Sequence, residues 1–90
     1  MKFFPSLEVD NYRAVLHVDG IEVATYWLEQ VISDHYFVVM MMGVQERVTI
    51  TLAGSLSYQR AFSKMLEIAL QHYEAQVNYA TLLYERDRAF

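Results

Sequence analysis

Residues 18–32 read Val-Asp-Gly-Ile-Glu-Val-Ala-Thr-Tyr-Trp-Leu-Glu-Gln-Val-Ile. Two folds compete for this stretch. Asp19-Gly20 between apolar residues favours a two-residue hairpin turn, because both positions tolerate the positive φ of a type I′ turn. The pairing that follows sets Val18 against Ile21, Leu16 against Val23, Ala14 against Thr25 and Tyr12 against Trp27 on one face. The other face then joins His17 to Glu22, Val15 to Ala24 and Arg13 to Tyr26, with a charge-assisted pair and a cation–π contact. In the rival reading Asp19 caps a helix, with Glu22 completing a capping box. Ile21, Ala24, Leu28, Val31 and Ile32 then share a helical face. That order, strand-helix-strand-strand-helix, is a truncated ferredoxin-type arrangement. The β-branched and aromatic residues of the stretch favour the hairpin. A helical turn at Leu28–Ile32 is compatible with either reading.

Outward from this stretch the punctuation is regular. The other two glycines, Gly43 and Gly54, each close an apolar run. Tyr36–Met42 is apolar at both parities, as suits a strand in a sheet centre with both faces covered. In Arg47–Ala53, Val48, Ile50 and Leu52 alternate with Arg47, Thr49 and Thr51, which makes a second hairpin. Residues 3–9 supply an edge strand, where Pro5 is tolerated. One face of the sheet receives a helix, and the other needs a further cover.

That helix is expected over 57–87, capped by Ser55 or Ser57 and free of Gly and Pro. Tyr58, Phe62, Met65, Leu66, Ala69, Tyr73, Ala80 and Leu83 form its apolar stripe. At 1.5 Å per residue it is roughly 45 Å long, against a sheet about 20–24 Å deep. Its C-terminal half should overhang, and that half still carries Tyr73, Val77, Tyr79, Leu82, Leu83 and Tyr84. Apolar surface of that extent marks a partner or self-interface. The fold class is α+β: a mostly antiparallel sheet of four or five strands with one long C-terminal helix, in a single domain.

Composition narrows the function without naming it. Ninety residues, 54% apolar and 14% aromatic, make one globular core. Without cysteine there is no disulfide frame. The N-terminus lacks the apolar segment of a signal peptide, and the run Tyr36–Met42 is too short to span a bilayer. A cytoplasmic protein is the expectation. The net charge is −4 and no basic stripe exists, which argues against direct nucleic-acid binding. Between residues 8 and 34, six acidic residues face Arg13 alone. Glu8, Asp10, Asp19 and Glu22 of this acidic hairpin are candidates for meeting a basic protein surface, including one that normally holds nucleic acid.

No catalytic constellation stands out. His17, His35 and His72 lack metal-ligand spacing, so neither a metal nor another cofactor is expected. The serines lack a nucleophile-elbow context. Asp34-His35 on a strand would point to opposite faces. Tyr12, Trp27, Tyr36 and Tyr58 are expected in the core, Tyr73, Tyr79 and Tyr84 at an interface. Met40-Met41-Met42 should place at least one row against the helix.

In size, acidity and lack of cysteine and motif, the chain is similar to small phage and mobile-element inhibitors such as anti-CRISPR proteins. That similarity implies a non-catalytic protein-binding module that blocks a surface of a larger machine, with the four acidic residues facing Lys and Arg. Self-association through the helix end, as a homodimer, is the simplest cover for the overhang. Two alternatives remain: a dimeric ferredoxin-like ligand-binding protein or enzyme, with a pocket lined by Trp27 and His35, and a secretion or assembly chaperone.

Overall fold

The computed structural model describes residues 4–43 and 46–88. Five strands precede one helix: β1 (Pro5–Val9), β2 (Arg13–Val18), β3 (Ile21–Ile32), β4 (His35–Met42), β5 (Glu46–Thr51) and α1 (Tyr58–Arg88). Each strand pairs antiparallel with the next, so the sheet is a simple meander in the order β1-β2-β3-β4-β5. Pro5 opens an edge strand, where its missing N–H costs no ladder bond. The disputed stretch is β3, a strand of 12 residues running through Leu28–Ile32 without a helical turn.

The β2–β3 turn is built as its residues dictate. Asp19 and Gly20 both have positive φ, 54° and 80°, as a type I′ turn needs. Val18 then pairs with Ile21 and His17 with Glu22. The next step departs from strict alternation: Leu16 pairs with Ala24, so Val23 is an extra residue in a β-bulge. Beyond it Ala14 opposes Tyr26, Val15 opposes Thr25 and Arg13 opposes Trp27. The expected pairs of Leu16 with Val23, Ala14 with Thr25 and Tyr12 with Trp27 are therefore shifted by one residue. A shift of one exchanges the faces of the strand. Tyr26 turns toward the helix and Trp27 away from it, and the expected Arg13–Tyr26 contact is not made.

The core lies between α1 and one face of the sheet. Ala14, Leu16, Ala24, Tyr26, Val38 and Met40 meet Met65 and Ala69 of the helix, with Leu7, Leu28, Val48 and Ile50 around them. Of Met40-Met41-Met42, Met40 is the one buried here, in keeping with the expectation that one row meets the helix. The aromatic core is corrected: Tyr26 is 0% exposed, whereas Tyr12 is 75% exposed and Tyr58 is also exposed. Tyr58 instead stacks on Phe62 and meets Tyr36 edge-on at the helix start.

Ser57 caps α1, its Oγ accepting from Arg60 N at 3.3 Å. The Leu56 N–H donates to the Asp34 carbonyl at 2.7 Å and fixes the helix start against the β3–β4 turn. From there the helix passes over β4, β3, β2 and β1; its backbone does not approach β5. Tyr73 is the last helix residue packed against the core cluster. The 31-residue helix is about 46 Å long, and the molecule measures 56 × 22 × 20 Å. The overhang is thus a property of the fold.

Candidate binding surfaces

The four acidic candidates do not form one cluster. Asp10 sits in the β1–β2 turn and Asp19 in the β2–β3 turn, at opposite ends of β2. Six residues of strand hold them about 20 Å apart. Both carboxylates have structural work. Asp10 Oδ1 accepts from Tyr12 N at 2.7 Å and Arg13 N at 2.8 Å, an Asx-type turn. Those two N–H groups, with the Arg13 guanidinium beside them, hold the Asp10 carboxyl below the usual carboxylate range. Asp19 Oδ1 accepts from Phe4 N at 2.7 Å and ties the hairpin turn to the start of the edge strand. Glu8 is exposed on β1. Glu22 lies opposite His17 as expected, but its carboxylate accepts from the Thr25 hydroxyl at 3.1 Å. The His17 Nδ1 atom is buried without a hydrogen-bond partner.

The second face of the sheet carries the residues that the bulge sends outward: Thr25, Trp27 and Glu29 of β3. On β4 it carries Phe37, Val39 and Met41, and on β5 Arg47, Thr49 and Thr51. Among the described residues no element covers this face, yet Val39 is 0% exposed. Its cover is local. Trp27 and Thr49 flank it in register, and the line from Arg47 on β5 to Glu29 on β3 passes over it. Arg47 Nη2 lies 3.1 Å from both Glu29 oxygens, and Trp27 Nε1 donates to Glu29 Oε1 at 3.3 Å. This strap of stems and charges replaces the second layer that β4 was expected to need.

Within the helix-facing core, Tyr26 Oη lies 2.8 Å from His72 Nδ1. Burial pushes the Tyr26 phenol up to about 12. It therefore stays protonated, and its hydroxyl is the donor in the tautomer that leaves His72 Nδ1 without a hydrogen. His35 Nδ1 donates to the Ser33 carbonyl at 2.9 Å in the β3–β4 turn, beside Asp34 with φ 60°. The three histidines thus stand on separate elements, and among the described residues no three metal-ligating side chains come together. A shallow recess beside the helix start is lined by Leu56, Gln59, Arg60, Ser63, Lys64 and Glu67.

The helix-end candidates do come together. Beyond Tyr73, Val77 and Leu83 are half-buried, and Tyr79, Leu82 and Tyr84 are exposed, Leu82 at 64%. At 3.6 residues per turn, Val77, Tyr79, Ala80, Leu82, Leu83 and Tyr84 cover an arc of roughly 220°. The polar remainder holds Glu74, Asn78, Thr81 and Glu85. The Thr81 hydroxyl turns back to the Val77 carbonyl at 2.9 Å. No described helix is long and apolar enough to cross a membrane.

Sequence reasoning missed the Tyr26–His72 pair and the Trp27–Glu29–Arg47 strap. The first depends on the Val23 bulge, which turns Tyr26 to the helix, and the second on the joint register of β3, β4 and β5. Comparison of the chain with protein-family models, with curated proteins and with solved structures gave no match.

Proposed function

We propose that this chain is a non-catalytic protein-binding module whose contact element is the outer half of α1. One observation carries the reading. The apolar stripe that anchors the helix at Ala61, Met65 and Ala69 continues through Ala80 and Leu83 after the core has ended at Tyr73. A helix lying only on solvent beyond its sheet has no physical need of that continuation. The occupant that fits is an apolar groove on a larger protein, entered by the helix as in helix-in-groove recognition. A basic rim on that groove would complement the net charge of −4 and speed encounter. Occupying such a groove is how a small chain blocks a larger assembly, and this is the inhibitor role we assign to it. The acidic contribution would come from Glu22 and Glu8, because Asp10 and Asp19 are engaged in turns.

The test is site-specific photo-cross-linking from position 82 in the cells that naturally make the chain. The expected result is one discrete adduct with a different protein, lost in Leu83→Glu and weakened by Glu8→Lys/Glu22→Lys. An adduct only with a second copy of the chain would turn the helix end into a self-interface. Absence of any adduct at position 82, with one formed from the second sheet face, would overturn the assignment.

A further inference from the structure

We infer that the outer edge of β5 pairs with β5 of a second copy, joining two five-stranded sheets into one ten-stranded sheet around a two-fold axis. The inference begins with two backbone bonds. Leu52 N–H donates to the Tyr36 carbonyl at 3.2 Å, and Gly43 N–H donates to the Val23 carbonyl at 3.0 Å. In an antiparallel ladder the bonded groups alternate along each strand. Tyr36, Val38, Met40 and Met42 therefore bond toward β5, and the residues between them bond toward β3. Across the β4–β5 register, Val48 and Ile50 use their backbone groups on β4. Arg47, Thr49 and Thr51 direct theirs to the outer edge, where nothing among the described residues pairs with them.

The two edges of this sheet are guarded differently. β1 has five residues, begins with Pro5, carries Glu8, is followed by Asp10 and lies beneath the helix. These are the usual protections of an edge. β5 has six residues, Glu-Arg-Val-Thr-Ile-Thr, with no proline and a β-branched run. The helix backbone does not approach it. Its two charges cancel, and Arg47 is drawn back over the sheet by Glu29, away from the edge. A second copy therefore meets no like charge at β5, whereas β1 edges brought together would oppose their carboxylates.

Self-complementarity selects the occupant and the register. With the two-fold axis between the two Thr49 residues, each Thr49 exchanges both backbone bonds with its counterpart. Arg47 does the same with Thr51 of the second copy. Val48 then stands beside Ile50 of the second copy on the helix-facing side. There it continues the rows Tyr26–Met40–Val48 and Leu28–Val38–Ile50. Two half-buried residues at the margin of the core each gain a neighbour. The interface is isologous and closes on itself, so it yields a dimer and not a fibre.

The decisive experiment is sedimentation equilibrium of the full chain from low micromolar to about 1 mM, with amide exchange at both ends of the range. A dimer is expected, with Thr49 N–H protected at high concentration and exposed to exchange at low concentration. Val48 and Ile50 N–H should be protected at both. Thr49→Pro removes a donor that points away from β4, so the strand is retained and only the two central cross-axis bonds are lost. The dissociation constant should rise about tenfold or more. Thr49→Lys sets two cations opposite each other at the axis and should give a folded monomer even if the proline variant does not fold. Leu83→Glu should leave the dimer intact, which separates this inference from the helix-end reading. A monomer throughout the range would overturn it. So would a dimer that survives both edge substitutions, or one that only Leu83→Glu dissolves.

Discussion

Tyr26 and Trp27 are neighbours in the chain and lie on opposite faces of one sheet, and the two faces are solved in different ways. The Tyr26 face has a second layer: the helix presses Met65 and Ala69 onto it, and the buried phenol is satisfied by His72. The Trp27 face has none among the described residues. There Val39 is shielded by aromatic and charged side chains of its own sheet, with Arg47 and Glu29 joined above it. An apolar strand such as β4 can thus be closed on its second side by long amphipathic side chains, without a layer of secondary structure.

The sharpest way to break this comparison is to truncate both aromatics. Tyr26→Ala removes the largest fully buried side chain and strands the His72 Nδ1. It should cost about 3–5 kcal/mol, as expected for deleting a buried ring. Trp27→Ala removes a half-buried ring from a face without a second layer and should cost only about 1–2 kcal/mol. Urea denaturation of both variants at one pH decides the matter. Equal losses would mean that the Trp27 face is packed as tightly as the helix face.

Val38 and Val39 sharpen the same comparison at smaller scale. Both are 0% exposed, and they point to opposite faces. If the Arg47–Glu29 strap seals its face, Val39→Ala should cost nearly as much as Val38→Ala, each about 1.5–3 kcal/mol. A loss within about 0.5 kcal/mol for Val39→Ala, the usual effect at a surface, would show that the strap opens in solution.

These faces also mark where the sequence was legible. The turn at Asp19-Gly20, the edge position of Pro5, the strand parity of Val48 and Ile50, and a serine cap at position 55 or 57 could all be read locally, because each depends on residues adjacent in the chain. The choice between Tyr26 and Trp27 could not. It depends on the Val23 bulge, and neither glycine nor proline marks that position. A bulge re-aims the side chains beyond it, and which of them meets the helix shows only in the tertiary structure. The strap was hidden for the same reason, since Arg47 and Glu29 meet only when three strands are in register. At the candidate surfaces, the helix-end residues were legible because they share one helix. The acidic residues looked like a single patch because they are close in sequence, while β2 separates Asp10 from Asp19.

Asp10 belongs to neither face and supplies the smallest effect, a reference for the other two. Its carboxylate accepts two backbone N–H bonds in the β1–β2 turn, and its pKa is lowered from the ordinary value of 3.8. The ionised form is the one the folded turn prefers. Its contribution is therefore complete above the unfolded value and is lost as pH falls through the lower folded value. Asp10→Asn keeps an acceptor but removes the charge, so it should flatten the fall in stability below about pH 4. The variant and the parent should respond alike to further pH change between about pH 6 and 8, where the carboxylate is ionised in both states of the parent. The site is exposed, and added salt should shrink the difference. Urea midpoints measured from pH 2 to 7 at two salt concentrations check this directly. An unchanged acid limb in Asp10→Asn would assign the acid sensitivity to other carboxylates and leave the turn held by geometry alone.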